Sequence, residues 1–431
     1  MPYPLRGTDQ PERHAHAPCR TFEDFLSSGM RILFLGLSVL SCTFAQENTE
    51  RQWYKGNTHT HTLWSDGNDF PDSVVDWYVT NDYHFLALSD HNILSRGDKW
   101  MPLTAIQKRR VTLGKSTLAK YRQHFGDDWV ETRGEGDKLE VRLKTLAELK
   151  QRFEKRGEFL LIEAEEITDS FEKVQIHINA LNLSEVIKPQ KGRSPRETMR
   201  NNLRAVQAQE AATGQPILAH LNHPNFQWSL SAEDLAQVVE EQFFEVYNGH
   251  PSINHLGKPN RPGDENIWDI ANTIRLVELQ ATPLYGLATD DSHHYHGGDA
   301  SPGRGWVMVH APSLTPEALI LAMREGAFYA STGVTLSSLD YGKETKAIHF
   351  EIEPEPGVTY KTEIFGTRRK SPNLPGESLG VVEGPKVRFP LTDEELYIRA
   401  TVTGSKPHPN PSFKGQLIQA WTQPIGWKVG S

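Results

Sequence analysis

Seven short apolar runs, separated by helix-like stretches, constrain the fold of this chain more than any other feature of its sequence. The runs lie between residues 52 and 335 and have the length and composition of strands. This alternation predicts an α/β domain with a largely parallel sheet, because parallel strands need long crossover connections that are usually helical. The predicted strands begin near Trp53, Phe85, Phe159, Val174, Pro216, Phe243 and Leu284.

Two further segments accompany this domain. An insertion at about 94–145, rich in Lys and Arg, separates the second and third strands and forms either a lid or a decorated surface. After Gly333 the sequence changes to alternating polar and apolar residues with breaks rich in Pro and Gly. This alternating pattern predicts a small antiparallel β domain at 336–431.

Residues 1–45 have the character of a leader. From Met30 the chain reads one arginine, an apolar run and then small residues, which is the pattern of a signal peptide. We predict that Met30 is the true start, that cleavage follows Ala45, and that the protein is exported to a periplasm or beyond. The apolar run is too short to span a membrane. A lipid anchor on Cys42 is the weaker alternative, because Val39 and Leu40 fit that pattern poorly.

The cysteine count and the net charge narrow the chemistry. Both cysteines, Cys19 and Cys42, lie in the leader, so the mature protein has no thiolate to offer a metal ion. Any bound ion must then be held by histidines, carboxylates and water. The formal net charge of −9 disfavours nucleic acid and anionic lipid as partners. A small-molecule substrate is expected instead.

Side chains able to bind metal ions recur at the C-terminal ends of six of the seven predicted strands. Functional sites of barrel and doubly wound folds are built at that edge of the sheet. Each residue alone has an ordinary explanation, such as a helix N-cap or a packed strand histidine. Together they predict a polynuclear metal site. The candidates are His59, His61, Asp66, Asp90, His91, Glu165, Glu166, His177, His220, His223, Asp290, Asp291, His293 and His294. The sixth strand end, "EVYNGH", offers only Asn248, which could orient substrate.

The donor types indicate which ions would bind. Nitrogen and oxygen ligands suit Zn²⁺, Mn²⁺ or Fe²⁺, whereas many imidazoles disfavour Ca²⁺ and Mg²⁺. Closely spaced ions would acidify a shared water and hold a substrate oxygen as Lewis acids. Hydrolysis is the reaction such a site favours.

Six motifs in order, "THTHTLWSDG", "LSDHN", "AEEIT", "HINAL", "NHPN" and "DDSHH", resemble those of the PHP superfamily, the polymerase and histidinol phosphatase metallohydrolases. The resemblance covers about 52–335. Within it, "FLLIEAEEITD" and "TPEALILAMREGAFYASTGV" are most similar to the exported, carbaryl-hydrolase-like branch. The resemblance implies a distorted (β/α)7 barrel, followed here by the small β domain, with three metal ions at the strand ends.

The resemblance also implies a ligand set. One ion would be held by His59, His61, Glu166 and Asp291, and a second by Glu166, His177 and His223. A third would be held by Asp66, His91 and His293, which would also act on the substrate. His223 is preferred to His220 because it belongs to a His-Pro pair, and Glu166 to Glu165 because of its spacing from Ala164.

Supporting roles are expected for several neighbours of these residues. Asp90 either orders its loop or caps a helix, and Asp290, His294 and His296 lie near the ions or on a loop surface. Asn222, Asn225 and Arg304 are candidates for holding an anionic substrate.

Three functions are compatible with these residues. The preferred one is an exported metal-dependent phosphoesterase, in which a metal-bridging hydroxide attacks phosphorus. The same site could instead hydrolyse a carboxylic or carbamic ester. A function of a different class is a non-catalytic metal-binding surface protein.

Overall fold

The computed structural model describes residues 50–340 and 346–429. The predicted leader, with its signal peptide and the Met30 start, lies outside the described residues. Over the two described ranges, none of the helices has the length and apolar character needed to cross a membrane.

Strands make up most of the regular structure. In chain order, β1 to β19 are Gln52–Asn57, Phe85–Leu88, Lys99–Pro102, Thr132–Arg133, Glu140–Leu143, Leu160–Phe171, Val174–Leu181, Leu218–Leu221, Phe243–Asn248, Tyr285–Thr289, Trp306–Ala311, Phe328–Ser331, Leu336–Asp340, Ala347–Ile352, Tyr360–Arg368, Glu377–Glu383, Lys386–Pro390, Glu395–Pro407 and Leu417–Thr422.

Helices α1 to α8 are Pro71–Thr80, Leu103–Ile106, Thr117–Phe125, Leu146–Phe153, Pro195–Thr213, Ala232–Gln237, Asp264–Val277 and Pro316–Arg324. Short 3₁₀ turns lie at Gly114–Ser116 and Gly136–Lys138. Helix α4 begins with a capping box in which Thr145 and Glu148 satisfy each other's backbone N–H groups.

The seven predicted strands correspond to β1, β2, β6, β7, β8, β9 and β10. They are consecutive neighbours in a thirteen-stranded sheet of order β10-β9-β8-β7-β6-β2-β1-β11-β12-β19-β18-β15-β16. Strands β2, β8, β9 and β10 are buried on both faces, as in the run Phe85–Leu88, so near-continuous apolar runs form strands here.

The sheet is mixed, whereas the sequence predicted a largely parallel one. The ladders β1-β2-β6 and β8-β9-β10 are parallel, but β7 runs antiparallel to both β6 and β8. Only Glu172 and Lys173 connect β6 to β7, and Glu172 has a φ of 51°. A connection this short makes a hairpin, since a parallel crossover needs about a dozen residues or more.

The two ends of the seven-strand series approach each other beyond their strands. Thr60 and Ser292 form an isolated parallel bridge, and the N–H of Asp291 donates to the carbonyl of His59 at 3.0 Å. In the described ranges no ladder joins β1 to β10, because β1 pairs antiparallel with β11 on its other side. The chain segments that follow β1 and β10 therefore meet at the C-terminal edge of the sheet, but the seven strands do not form a closed barrel.

The segment predicted as a small β domain is antiparallel and continues the main sheet. Strand β19 pairs with β12, and β13-β14-β17 form a separate three-stranded sheet. The predicted boundary near residue 335 falls in the connection between β12 and β13. The buried guanidinium of Arg399 on β18 donates to both carboxylate oxygens of Asp269 on α7, at 2.9 and 2.6 Å. The C-terminal strands are thus packed firmly against the site-bearing region.

The insertion at 94–145 folds into the sheet β3-β5-β4 with helices α2 and α3. It contacts the loop that follows β1. Arg109 donates to the carbonyl of Ser65 at 2.6 Å, and Asn68 donates to the carbonyl of Val111 at 2.8 Å. The insertion therefore braces the loop that carries Asp66.

Candidate metal centre

The paired histidines after β1 lie at the middle of the site. His59 and His61 are fully buried, and extended backbone sends both rings to the same side, with their Nε2 atoms 3.1 Å apart. The side chain of Asn57 accepts the N–H of His59 at 2.9 Å, which holds this turn of the chain in place.

The first donor cluster adds two carboxylates to this pair. Oδ1 of Asp291 lies 3.3 Å from Nε2 of His59 and 3.2 Å from Nε2 of His61. Oε1 of Glu166 lies 3.4 Å from Nε2 of His59. Two donors bound to one tetrahedral ion at 2.0–2.1 Å are separated by about 3.3 Å. The spacing fits a shared ion better than direct hydrogen bonds.

A second cluster shares Glu166. Its Oε1 lies 3.0 Å from Nδ1 of His177 and 3.5 Å from Nε2 of His223. Neither ring nitrogen of His177 makes a hydrogen bond of ordinary geometry, although both atoms are buried. Buried polar atoms normally have a partner, and a coordinated cation would supply one here.

The third cluster is more open to solvent. Asp66 places Oδ2 3.4 Å from Nε2 of His91 and Oδ1 3.4 Å from Nε2 of His293. Nearly half of the Asp66 side chain is exposed (48%). One donor atom each from His61, Asp66, His91 and His293 lie within 4.8 Å of one another. This cluster is where a substrate would have access.

Contacts behind two of the imidazoles, those of His59 and His293, turn their Nε2 atoms toward the clusters. Nδ1 of His59 lies 2.7 Å from Oε1 of Glu245, and Nδ1 of His293 lies 2.9 Å from the carbonyl of Asp291. An Nδ1–H donated to these two oxygens leaves the Nε2 lone pair free, which is how metal-ligating histidines are usually oriented. His91 differs, because its Nδ1 lies 2.5 Å from the hydroxyl of Thr168 and 2.6 Å from Oε2 of Glu166.

Electrostatics keep the carboxylates ionised. Burial opposes charge, but the imidazoles of His177, His91 and His59 hold the pKa of Glu166 well below its usual range. Burial likewise opposes charge at Asp291, where His59 and His61 hold the pKa well below its usual range. Anionic oxygens are the form that binds a cation, so the donor set fits divalent transition ions.

Two candidate ligands sit on strained backbone. His223 has a φ of 24° and Asp291 a φ of 46°, in the left-handed region that costs a non-glycine residue on the order of 1 kcal/mol or more. The N–H of His223 donates to Glu245 at 2.9 Å and stabilises this conformation. Such strain is concentrated at functional sites.

Glu245 is a site residue that sequence reasoning missed. It is fully buried on β9, and its carboxylate contacts His59, the N–H of His223 and the hydroxyl of Thr289, the last at 3.0 Å. Burial opposes charge, but the imidazoles of His59, His220 and His223 lower the pKa of Glu245 to about 2. The available signal was a single glutamate inside the apolar strand "FFEVYN".

Two residues close to Glu245 in the sequence also belong to the candidate site. Asn248 donates to Oε2 of Glu245 at 2.8 Å and to Oδ2 of Asp291 at 3.1 Å, so its amide positions a candidate ligand. His250, which the sequence did not single out, lines the cavity, and burial lowers its pKa to about 4.

The structure distinguishes the two ambiguous pairs. Glu166 joins the clusters, whereas the adjacent Glu165 points to the other face of β6 and accepts the N–H of Ile187 at 2.6 Å. His220 is buried on β8 with Nδ1 3.7 Å from Glu245, and it belongs to none of the three described donor groups. The geometry favours Glu166 and His223.

The carboxylates of Asp90 and Asp290 accept hydrogen bonds that order neighbouring loops. Asp90 accepts the N–H and hydroxyl of Thr62, both at 2.8 Å, and the hydroxyl of Ser65 at 2.6 Å. It therefore orders the loop after His61 and does not cap a helix. Asp290 accepts the backbone N–H groups of residues 303, 304 and 305.

The expected anion-binding residues have other partners. Arg304 donates to the carbonyl of Gly249 at 2.8 Å and to the side chain of Asn410. Asn225 donates to two backbone carbonyls, and Asn222 donates to Oε1 of Glu166 at 2.8 Å. His294 and His296 pair with nearby aspartates. These side chains support the site's framework.

A cavity of about 170 Å³ opens onto the clusters. It is lined by Asp66, His91, Glu166, His177, His223, Phe226, His250, Asp291 and His293, with no Lys or Arg among them. A larger cavity of about 470 Å³, beside α1 and α3, contains none of the donor clusters. The smaller cavity is therefore the candidate active site.

No family model and no curated protein matches this sequence. Among solved structures, a two-domain protein from Bacteroides vulgatus containing a predicted PHP-like metal-dependent phosphoesterase shares 14% identity over 87% of this chain and 96% of its own, with a TM-score of 0.39. PsfC from Pseudomonas syringae shares 10% over 63% and 88%, with a TM-score of 0.31. An amidohydrolase from Chromobacterium violaceum with bound sulfate and no metal shares 14% over 63% and 96%, with a TM-score of 0.31.

Proposed function

We propose that this chain is an exported metal-dependent hydrolase that cleaves phosphate esters at a three-ion centre. The observation that supports this most is the convergence of three donor clusters, two of them joined through Glu166 and two through His61. Bound divalent transition ions would supply Lewis acidity toward a substrate oxygen and would lower the pKa of a coordinated water.

The proposed ligands of each ion are the side chains of one donor cluster. His59, His61, Glu166 and Asp291 would hold one ion, Glu166, His177 and His223 a second, and Asp66, His91 and His293 a third. Zn²⁺, Mn²⁺ or Fe²⁺ suits this set of imidazoles and carboxylates. Membership of the PHP superfamily, its carbaryl-hydrolase-like branch and its distorted (β/α)7 barrel are part of the proposal, supported by the six sequence motifs and by the approach of Thr60 to Ser292.

The charge balance supports an anionic substrate. Four carboxylates, those of Asp66, Glu166, Glu245 and Asp291, surround the clusters, and no Lys or Arg lines the cavity. Three divalent ions would bring six positive charges against these four, so the loaded site would attract a phosphate group.

The open cluster is the proposed point of contact with substrate. The side chains of His91 and His293 are 26% and 15% exposed, and Asp66 is the most exposed member. Because Nδ1 of His293 is satisfied by a backbone carbonyl, its Nε2 faces Asp66 and the cavity. Asp66, His91 and His293 would orient the reacting group at the mouth of the site.

Hydrolysis of a carboxylic or carbamic ester is a second candidate. Phe226 forms part of the cavity wall and packs 5.2 Å from the ring of His223, which gives an uncharged ester an apolar surface. The export proposal is independent of both reactions and rests on the signal-peptide pattern from Met30.

The test is an assay of protein stripped by chelation and reloaded separately with Zn²⁺, Mn²⁺ or Fe²⁺. Aryl phosphate should be hydrolysed only after reloading. His177→Ala, which removes a proposed ligand of the second ion, should lower turnover at least a hundredfold. His124→Ala, an exposed histidine on α3, should leave turnover unchanged.

Two outcomes would replace the proposal. Turnover of aryl ester without turnover of aryl phosphate would establish the second candidate. Full metal loading without turnover of either substrate would indicate a non-catalytic metal-binding protein.

A further inference from the structure

His250 lies in the loop after β9 and lines the cavity. Neither β9 nor this loop contributes a residue to the three described donor groups. Its ring lies 5.5 Å from the ring of His293 and 6.4 Å from the ring of Phe226. The side chain thus borders the open cluster on the side where a substrate would sit.

The surroundings of this imidazole differ from those of its neighbours. The other cavity-lining histidines, His91, His177, His223 and His293, each have a carboxylate oxygen within 3.5 Å. Across the described ranges, His250 forms no ion pair with a carboxylate, although it lines the same cavity. It is therefore poorly placed to share an ion with the acids of the site.

One hydrogen bond fixes the tautomer. The backbone N–H of Ser252 donates to Nδ1 of His250 at 3.2 Å. A nitrogen that accepts a hydrogen bond carries no proton, so the remaining proton is on Nε2. This cavity-lining ring therefore keeps one N–H donor, on the nitrogen that Ser252 does not occupy.

We infer that His250 is a substrate-contacting residue whose Nε2–H donates to an anionic oxygen of the phosphate group bound beside His293. The inference rests on the proposed phosphoesterase function. The cavity lining contains no Lys or Arg, so this N–H fills a role that basic side chains often take at phosphate sites. A hydrogen bond to a charged oxygen is stronger than one between neutral groups.

The experiment compares His250→Phe, which keeps the bulk and removes the donor, with His250→Gln, whose amide N–H restores one. Inorganic phosphate, used as a competitive inhibitor of the metal-loaded enzyme, should bind His250→Phe at least tenfold more weakly than wild type. His250→Gln should recover most of that loss, and the KM for aryl phosphate should follow the same order. Metal content should be equal in all three proteins.

Three results would overturn the inference and leave the proposed function standing. If His250→Phe bound phosphate as tightly as wild type, His250 would not contact the phosphate group. If His250→Phe lost metal together with phosphate affinity, His250 would be a metal ligand. NMR of the imidazole nitrogens showing the proton on Nδ1 would contradict the tautomer whatever the substrate. Failure of fully loaded wild type to bind phosphate or cleave its esters would overturn the proposed function itself, and the inference with it.

Discussion

The carboxylate of Glu245 lies 2.7 Å from Nδ1 of His59, at the back of the ring whose Nε2 faces the candidate metal centre. The same carboxylate accepts the N–H of His223 and the hydroxyl of Thr289. One buried anion therefore positions groups that follow β1 and β8 and a residue of β10. The geometry of the centre depends on a residue that touches no proposed ion.

Glu245→Gln should weaken metal binding by about 10- to 100-fold, because an amide cannot accept all of these hydrogen bonds at once. Titration of the chelator-stripped protein with Zn²⁺ measures the change. The matched control is Glu241→Gln, which alters a buried glutamate that accepts two backbone N–H groups at the start of the same strand. Equal affinity in the two variants would contradict the role given to Glu245.

Asp269→Ala should lower the free energy of unfolding by about 3–5 kcal/mol, because it leaves a buried guanidinium without its partner. Arg399 is 1% exposed and donates to both oxygens of Asp269. Glu265→Ala, which removes the more exposed partner of Arg399, should cost less. Urea unfolding of both variants checks the order, and similar losses would show that Asp269 is not the main partner.

The carboxyl of Asp72 makes stability depend on pH. It is buried beneath Tyr121 and Trp129, and burial raises its pKa from 3.8 to about 6. Between about pH 4 and pH 6 the unfolded chain has released a proton that the folded protein still holds. The stability of the wild type therefore falls through this window as pH rises and stays lower above it.

Asp72→Asn removes that ionisation. Relative to wild type, the variant should gain up to about 3 kcal/mol as the pH is raised from about 4 to about 7, since each pKa unit corresponds to 1.36 kcal/mol. Tyr121→Phe keeps the carboxyl and should keep the fall in stability. Unfolding free energies at several pH values measure both, and a constant difference between wild type and Asp72→Asn would contradict the raised pKa.

Arg304→Ala should affect stability and leave the KM for aryl phosphate within about twofold of wild type. Arg304 is 4% exposed, and its guanidinium donates to the carbonyls of Gly249 and Asp299 and to Asn410, so its loss should cost about 2–3 kcal/mol. Thermal unfolding and steady-state kinetics separate the two effects. A tenfold rise in KM with an unchanged Tm would restore Arg304 as an anion-binding residue.

The sequence located the seven strands because each is an apolar run bounded by polar residues. It also predicted that His59, Glu166 and Asp291 would come together, because functional sites form at the C-terminal edge of such sheets. Their donors lie within 3.4 Å of Nε2 of His59. Helix α4 was readable from its capping box.

Other features depend on pairings that no local pattern reveals. The hairpin between β6 and β7 turns on Glu172, a non-glycine residue with positive φ, so no glycine marked it. The continuation of the sheet through β19 requires partners almost a hundred residues apart along the chain. Glu245 was missed because its role depends on facing His59, and only the folded chain brings the two together.

Metal content of wild type, Glu166→Gln and Glu165→Gln tests the central claim most directly. The two glutamates are adjacent on β6 but face opposite sides, and only Glu166 belongs to the donor groups. Elemental analysis of fully loaded protein should find one transition-metal ion for each of the three groups in wild type and in Glu165→Gln. Glu166→Gln should bind fewer, with the two groups that share this carboxylate weakened. Equal metal content in all three proteins, or none in wild type, would contradict the account.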